Sequence, residues 1–450
     1  MENLYKKYVE CGYRVTTDSR AIEGGEMFFA LKGENFDGNA YALKALESGA
    51  AWAVINDDAL PGADDARLIR VADPYSSLRD LAAYHRNHAL GDRHLPVIGL
   101  TGTNGKTTTK ELISAVLRRK YRVCATQGNL NNDIGVPLSL LKIRPDTEIA
   151  VIEMGANHPD DIAKLVKVSQ PDYGLITNVG KAHLHGFGSF EGVKAAKGEL
   201  YKWLGSHEGS LIFLNEDDSD LREMAAKQPC HNFGYGIGYQ GAEILPTSAE
   251  SPFLAIRLSD TEIHTRLIGA YNATNVLAAL AIGKYFGVGK ADAVDAIESY
   301  TPSNNRSQMT RTASNTLIVD AYNANPSSMN AALDNFAAIE AEDKIALLGD
   351  MRELGADSLK EHVAVVAKLA DMVMTRRLSK AFLVGDEFSK ALAEFSSGHL
   401  TLMSVAGPAF FYCGTSDELA EYLAANPVSG ATCLIKGSRG IQMEKTIPAL

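Results

Sequence analysis

The fold is decided by Val97-Ile-Gly-Leu100, Thr101-Gly-Thr-Asn-Gly-Lys-Thr-Thr108 and the run that follows them in this 450-residue chain. The first segment is apolar and predicts a buried strand. Apolar residues recur every three or four positions from Leu112 to Leu117, which predicts a helix. The polar, glycine-rich segment between strand and helix is typical of a loop whose N–H groups surround phosphate.

We expect this loop to bind phosphate through Gly102, Thr103, Asn104, Gly105, Lys106, Thr107 and Thr108. Lys106 would neutralise terminal phosphates, and the Thr107 hydroxyl would bind magnesium. Leu100 stands where the first glycine of G-x-x-x-x-G-K-[ST] belongs, so the Walker pattern is incomplete. A glycine-rich turn that binds nothing would not need lysine followed by threonine.

Strand and helix patterns alternate on both sides of this loop, which predicts an α/β protein with three domains. We expect a small N-terminal α/β domain at 1–88, a central parallel-sheet nucleotide-binding domain at 89–304 and a Rossmann-like α/β domain at 305–450. The polar stretch from Arg86 to His94 predicts a linker. The segment from Cys230 to Leu267 has little helical periodicity, which predicts antiparallel strands that interrupt the parallel α/β pattern.

The composition narrows the class of protein. The formal net charge is -11, so nucleic acid is not an expected partner, and an anionic ligand would need local donors and metal ions. Five cysteines lie far apart and form no metal-type or redox-type pair, which indicates reduced thiols. The chain shows neither a signal-peptide core nor a membrane-length apolar run, which predicts no membrane insertion and a cytoplasmic location.

Further candidates follow strand patterns at the rim where the phosphate loop is expected. Glu153 ends an apolar strand and is a candidate magnesium ligand, although a helix cap or a surface charge is equally frequent there. His183 follows another strand and is a candidate beside a second metal, with His185 as a competitor and a structural role as the alternative. Lys197 lies in a helix, where a solvated charge is the usual role, with Lys194 one turn earlier.

The second half of the chain adds polar candidates. Asn272 and Asn275 open an alanine-rich helix and suit either a purine edge or helix caps. Asp320 ends a strand and could hold a ribose hydroxyl, and Arg306 could reach a transferring phosphate. The loop 321–328 is rich in asparagine, serine and proline, which turn formation alone can explain.

Taken in order, these segments resemble the Mur ligase family along nearly the whole chain. The resemblance is carried by TGTNGKTT, NNDIGVPLSLL, EMGANH, TNVGKAHLHGFGS, AAKGELY, GAYNATN, DAYNANPSSM, LGDMRELG and LIKGSRG. The opening TDSRAIEGGEMFFALKGENFDGNAY is similar to the nucleotide-sugar domain shared by the third and fourth peptide-adding ligases. DAYNANPSSM is similar to the form found in the ligase that adds D-Ala-D-Ala.

The resemblance implies ATP-dependent amide formation in peptidoglycan precursor synthesis. ATP would phosphorylate the terminal carboxylate of UDP-N-acetylmuramoyl-tripeptide, and the amine of D-Ala-D-Ala would then displace phosphate. Two Mg²⁺ ions are implied: Thr107 and Glu153 hold one, while Glu153, His183 and a carbamylated Lys197 arrange the other. Carbamylation requires a neutral amine and converts a cation into an anion.

The remaining roles also come from the resemblance. Asn272, Asn275, Arg306 and Asp320 are implied in nucleotide binding, Arg306 on the γ-phosphate side. Ser19 and Arg20 are implied contacts to the UDP-sugar, and Asn323, Asn325 and Ser327 belong to the loop expected beside the dipeptide. A monomer is the expected state. Two residues depart from the family pattern: Asn39, where histidine is common, and Asn305, where glycine is usual.

Two alternatives remain at this point. A sister ligase that adds a diamino acid would be expected to carry a different signature at 322–326. The other is a catalytically silent nucleotide-binding subunit. The presence of Lys106, Glu153, His183 and Lys197 together argues against it, because binding alone does not require the residues implied for the second metal.

Overall fold

The computed structural model of the chain describes residues 1–34, 36–60, 64–181, 184–246, 252–302, 308–398 and 409–450. Within these ranges, sheets follow one another along the chain and alternate with helices. Three of the sheets are wholly or largely parallel. The predicted α/β class is therefore confirmed.

The first sheet is formed by short parallel strands in the order β1-β2-β3-β4. Its elements are α1 (Glu2–Glu10), β1 (Val15–Thr16), β2 (Met27–Phe29), α2 (Ala42–Glu47), β3 (Trp52–Asn56), β4 (Leu68–Val71) and α3 (Pro74–His88). The start of α3 is fixed locally, because Asp73 accepts the N–H groups of Tyr75 and Ser76 and proline occupies the first helical turn.

The central sheet is parallel and has the order β10-β9-β8-β5-β7-β6. Its elements are β5 (Val97–Thr101), α4 (Lys106–Leu117), β6 (Val123–Ala125), α5 (Gly135–Leu140), β7 (Ile149–Glu153), α6 (Asp161–Ser169), β8 (Tyr173–Ile176), α7 (Leu184–Phe187), α8 (Phe190–Gly205), β9 (Leu211–Asn215), α9 (Ser219–Ala226), β10 (His231–Tyr235) and α10 (Ile237–Gln240). Strand β5 is buried throughout and lies between β8 and β7. The carboxyl ends of these three strands therefore meet at one rim.

The prediction of antiparallel strands from Cys230 to Leu267 is partly wrong. Strand β10 is parallel to β9 and extends the central sheet. The antiparallel sheet begins only afterwards, with β11 (Glu243–Ile244), β12 (Phe253–Leu258) and β13 (Thr261–Ile268). Because β10 is an edge strand with an exposed start, its sequence is more polar than that of the buried strands. Helices α11 (Ala273–Tyr285) and α12 (Lys290–Ser299) follow.

The last sheet has the order β14-β15-β19-β16-β17-β18, with β14 antiparallel at its edge. Its elements are β14 (Gln308–Arg311), β15 (Thr316–Asp320), α13 (Pro326–Ala338), β16 (Lys344–Gly349), α14 (Ser358–Met374), β17 (Lys380–Val384), α15 (Asp386–Gly398), β18 (Phe410–Cys413), α16 (Ser416–Ala425) and β19 (Thr432–Lys436). Among the described residues, no helix has the length and apolar character needed to span a membrane.

The predicted linker from Arg86 begins too early, because residues 86–88 are the last turn of α3. The Arg86 side chain is only 5% exposed and forms an ion pair with Asp172 at 3.0 Å. It also donates to the carbonyl of Gln170 at 2.9 Å. The charge at this position thus joins α3 to the central sheet, whereas in the sequence it suggested a solvated linker.

Replacing Arg86 by alanine is expected to lower the free energy of unfolding by about 3 kcal/mol, because Asp172 and the carbonyl groups lose a buried partner. The guanidinium denaturation midpoint of the full chain measures this change. Arg79→Ala on the same helix is the matched control, since Arg79 is half-buried and donates only a long bond to Lys164 at 3.5 Å. A control shift as large as that of Arg86→Ala would contradict the assignment.

Candidate active site at the central rim

The phosphate-binding segment is a tight loop between β5 and α4. Gly102 has φ +146°, and a Cβ there would lie 1.9 Å from the Thr177 hydroxyl oxygen. Gly105 has φ +78°, and a Cβ there would lie 2.9 Å from Asn275 Oδ1. Glycine is required at both positions because backbone conformation and close neighbours exclude a side chain.

Residues after β8 hold this loop in shape. The Asn104 N–H donates to Asn178 Oδ1 at 3.0 Å, and the Asn178 amide donates back to the Asn104 carbonyl at 3.0 Å. The Thr177 hydroxyl donates to the same carbonyl at 2.7 Å. Asn178 was not among the predicted site residues; its position just after β8, in the segment TNVGKAHLHGFGS, was the available signal.

Lys106 begins α4 and folds back over the loop. Its Nζ donates to the carbonyls of Gly102 at 2.7 Å and Thr103 at 3.0 Å. The ammonium group therefore lies against the loop itself, between its first residues and the start of α4. This placement suits a cation that neutralises phosphate oxygens.

Glu153, at the end of β7, contacts Thr107 in the first turn of α4. The Thr107 hydroxyl lies 3.1 and 3.0 Å from the two carboxylate oxygens of Glu153, and Asn131 donates to Oε1 at 2.8 Å. Glu153 is 1% exposed, so it is neither a surface charge nor a cap in this structure. Among the described residues, no cluster of three or more His, Cys, Asp or Glu side chains could hold a metal alone.

A hydroxyl and a carboxylate nevertheless fit Mg²⁺, which prefers oxygen and usually completes its shell with water and substrate phosphates. Asn131 belongs to this group but was not singled out in the sequence. Lys110 was also missed: it is fully buried, donates to the Thr126 carbonyl at 2.5 Å and lies 4.0 Å from Glu153. Lys110 is one helical turn after Lys106, where a lysine is usually solvated. The sequence therefore gave no indication that this side chain is buried.

Lys197 is in the middle of α8 and is 2% exposed. Burial, reinforced by repulsion from the Lys106 ammonium, lowers the pKa of Lys197 to about 7. The Phe187 ring centre lies 5.7 Å from Nζ. Lys194, one turn earlier, instead bonds to Asp220 at 2.8 Å and Glu223 at 3.4 Å. The two lysines therefore have different environments: Lys194 is paired with two carboxylates of α9, whereas Lys197 is buried beside the Phe187 ring.

Asn272 and Asn275 lie behind the phosphate loop. Asn275 accepts from Thr109 at 3.0 Å and donates to Asn272 at 2.9 Å, while Asn272 donates to the Ile268 carbonyl at 2.8 Å. Both are buried, and neither side chain caps α11. Their observed contacts are with each other, with Thr109 and the Ile268 carbonyl, and with the backbone at Gly105, so they support the loop and the start of α4.

Asp320 ends β15, beside the end of β19. Its carboxylate accepts a hydrogen bond from Lys436, which is 1% exposed. Asn323 is exposed, and its Oδ1 accepts the N–H of Ala324 at 2.9 Å. Lys436 lies in the quoted segment LIKGSRG but was not a candidate, because a lysine at a strand end is usually solvated.

The loop after β15 reaches the phosphate loop. Asn325 Nδ2 donates to Asn104 Oδ1 at 2.8 Å, and Asn325 Oδ1 also caps α13 by accepting from the Ser328 N–H at 2.9 Å. A Cβ at Gly180 would lie 3.0 Å from the Ser327 hydroxyl oxygen. The structure thus joins the loop expected beside the dipeptide to the loop expected around phosphate.

Two predicted catalytic residues, His183 and Arg306, lie outside the described residues, as does Asn305. His185, the competitor of His183, packs against Gly355 just before α14: a Cβ at Gly355 would lie 3.2 Å from its ring. The described part of the candidate site therefore contains Lys106, Thr107, Glu153 and Lys197 on the central sheet, and Asp320, Asn325 and Ser327 on the last.

Ser19 and Arg20 are on a short 3₁₀ turn after β1 and belong to the first sheet. Arg20 is 88% exposed and pairs with Asp18 at 2.8 Å, which lowers the pKa of Asp18 to about 2. Asn39 is buried, donates to Asp37 at 2.7 Å and accepts the Asn56 N–H at 3.0 Å. The residue that departs from the family pattern therefore connects the loop at Asp37 to the end of β3.

Family models match three consecutive parts of the chain: "Mur ligase family, catalytic domain" at 13–86, "Mur ligase middle domain" at 100–283 and "Mur ligase, glutamate ligase domain" at 305–439. The chain belongs to the Mur ligase family.

Among its relatives, the UDP-N-acetylmuramoyl-tripeptide–D-alanyl-D-alanine ligase of Bacillus subtilis (strain 168) is 34% identical over 97% of this chain and 92% of the relative. A crystal structure of MurF from Acinetobacter baumannii is similar with a TM-score of 0.81 and 30% identity, covering 97% of this chain and 92% of that one. MurF ligase from Thermotoga maritima in complex with ADP has a TM-score of 0.79 and 26% identity, with coverages of 97% and 96%.

Proposed function

We propose that this chain uses ATP to add D-alanyl-D-alanine to UDP-N-acetylmuramoyl-tripeptide in peptidoglycan precursor synthesis. The observation that carries the proposal is the convergence at one rim of a phosphate-type loop, a buried carboxylate and the loop after β15. The relatives named for this reaction match nearly the whole chain, which supports it further. The ADP bound to the Thermotoga maritima relative supports ATP as the nucleotide.

The reaction has an electrostatic obstacle, because the tripeptide carboxylate and the γ-phosphate of ATP are both anions. The phosphate-loop N–H groups and Lys106 would hold the phosphates, and Arg306 would approach the transferring group. Once the acyl-phosphate has formed, the amine of D-Ala-D-Ala attacks the acyl carbon and phosphate leaves. Asp320 would position the ribose, with Lys436 fixing its carboxylate.

Thr107 and Glu153 would hold one Mg²⁺ ion, and Glu153, His183 and carbamylated Lys197 would arrange a second. The ions, when bound, screen the negative charge of the phosphates and the carboxylate. Support for the carbamate comes from the buried position of Lys197 and its lowered pKa, since only the neutral amine reacts with carbon dioxide. The resulting anion would be attracted to Lys106, whereas the ammonium form is repelled.

Ser19 and Arg20 would contact the UDP-sugar from the first sheet, and Asn323, Asn325 and Ser327 would lie beside the dipeptide. Asn272 and Asn275 would act on the nucleotide mainly by holding Gly105 and Thr109 in place, given their buried contacts.

We expect Glu153→Gln to raise the Mg²⁺ concentration needed for half-maximal activity about tenfold or more, because an anionic oxygen ligand becomes a neutral amide. The measurement is a magnesium titration of phosphate release at saturating ATP. Glu148→Gln is the control, since Glu148 is next to β7 and faces Arg122 at the far end of that strand. An unchanged magnesium requirement in Glu153→Gln would count against the metal role.

The proposed function is tested by phosphate release from ATP with UDP-N-acetylmuramoyl-tripeptide, with and without D-Ala-D-Ala. Continuous release is expected only with all three substrates, together with formation of the pentapeptide product. Release that depends on a free diamino acid and UDP-N-acetylmuramoyl-dipeptide would favour the sister ligase. ATP binding without release under either condition would favour a silent nucleotide-binding subunit.

A further inference from the structure

We propose that Lys181 and Glu361 form a latch that holds the last sheet against the phosphate loop, and that both are positioning residues for the reaction. The inference rests on the proposed function for its kinetic consequence, although the latch itself is structural. Lys181 Nζ donates to Glu361 Oε1 at 2.9 Å, and Glu361 lies in the first turn of α14. The Glu361 carboxylate is 11% exposed, and Lys181 is about half-exposed at 52%.

The central end of this ion pair is connected directly to the phosphate loop. Gly180, next to Lys181, donates its N–H to the Thr103 hydroxyl at 2.9 Å, and Thr103 donates its N–H to the Asn178 carbonyl at 3.0 Å. A displacement of Lys181 would therefore be passed to the loop through short hydrogen bonds.

The other end is connected to the loop after β15. Helix α14 packs on α13, which begins immediately after Asn325. Asn325 bonds to Asn104, and Ser327 contacts Gly180. The ion pair and the amide pair thus connect the same two sheets at neighbouring points, Lys181 and Asn104.

Opposite charges face each other where Lys181 of the central sheet's layer meets the start of α14. Asp357, just before α14, also attracts the Lys181 ammonium and, with Glu361, raises its pKa. The last sheet therefore presents two carboxylates to one lysine of the central domain. Breaking the pair leaves Glu361 largely buried without its cation, which favours separation of the two surfaces. Separation would move Asp320 and Asn325 away from the nucleotide and dipeptide together.

The test is a charge-swap series in the full chain. Lys181→Glu is expected to raise the KM for ATP and for D-Ala-D-Ala about five- to tenfold, because a half-exposed attraction becomes a repulsion. The KM for UDP-N-acetylmuramoyl-tripeptide should change less than about twofold, since its proposed contacts lie on the first sheet. Lys181→Gln should give a smaller effect, and Lys181→Glu/Glu361→Lys should restore both KM values to within about twofold of the parent.

Lys227→Glu is the matched control, because Lys227 forms its 2.7 Å ion pair with Glu223 near the end of a single helix. Small-angle scattering of the same variants with ADP adds a readout independent of turnover: Lys181→Glu should have a larger radius of gyration, which the swap reverses. The latch would be overturned if the separate effects of Lys181→Glu and Glu361→Lys on KM simply multiplied in the double variant. If the parent releases no phosphate with D-Ala-D-Ala, the proposed function fails, while the scattering result still decides the latch.

Discussion

Lys197→Ala is expected to lower phosphate release about 100- to 1000-fold, the usual range for losing one preorganised electrostatic group in an active site. A short carboxylic acid such as propionate should restore part of the rate by occupying the space of the missing carbamate. The site of Lys197 supports this, because the amine is buried, has a pKa of about 7 and lies close enough to Lys106 for their repulsion to lower that pKa.

Lys194→Ala is the matched control on the same helix and should change the rate less than about threefold, since Lys194 forms its ion pairs with Asp220 and Glu223 of α9. At limiting bicarbonate, the parent rate should also fall as the pH drops below about 7, because protonation of Lys197 prevents carbamate formation. Near-normal activity of Lys197→Ala, or complete absence of rescue by the acid, would contradict the assignment.

Lys106→Met is expected to reduce phosphate release by a comparable factor, about 100- to 1000-fold. Methionine keeps much of the side-chain volume but cannot neutralise phosphate oxygens bound at the loop. The substitution also removes the donor to the Gly102 and Thr103 carbonyls, so a thermal melt must accompany the assay.

Lys120→Met serves as the control, because Lys120 lies just beyond the other end of α4 and donates to the carbonyls of Phe286 and Gly287. We expect its phosphate release to match that of the parent. A folded Lys106→Met protein with parental activity would mean that the loop does not bind the transferred phosphate.

Parts of the fold that depend on local pattern could be predicted from the sequence. The run from Val97 to Leu100 is apolar and buried, and the glycines at 102 and 105 have the backbone angles that the loop requires. Glu153 was placed correctly at the rim because strand ends in a parallel sheet meet there. Its burial and its contact with Thr107 depend on tertiary packing and could not be predicted.

The sequence was least informative about charged residues that are buried. Arg86, Lys110 and Lys436 are residue types that are usually solvated, yet each of these side chains is buried and bonded to a specific partner. Strand β18 and helix α16 were not predicted, because β18 is a short edge strand with one exposed position. Edge strands carry weak periodicity, so their pairing is decided by neighbours that are distant in sequence.

The way apolar residues are shared between sheets determines which parts can shift as rigid bodies. One buried cluster contains Leu4 and Phe29 of the first sheet's layer together with Leu140 and Leu200 of the central one. The last sheet has its own clusters, and Ile268 is their sole buried member contributed from elsewhere in the described chain. Separating the first two sheets would therefore expose a shared hydrophobic core to water. Moving the last sheet would break chiefly polar and ionic contacts. A shift of the last sheet along this boundary would therefore cost less free energy than a separation of the first two.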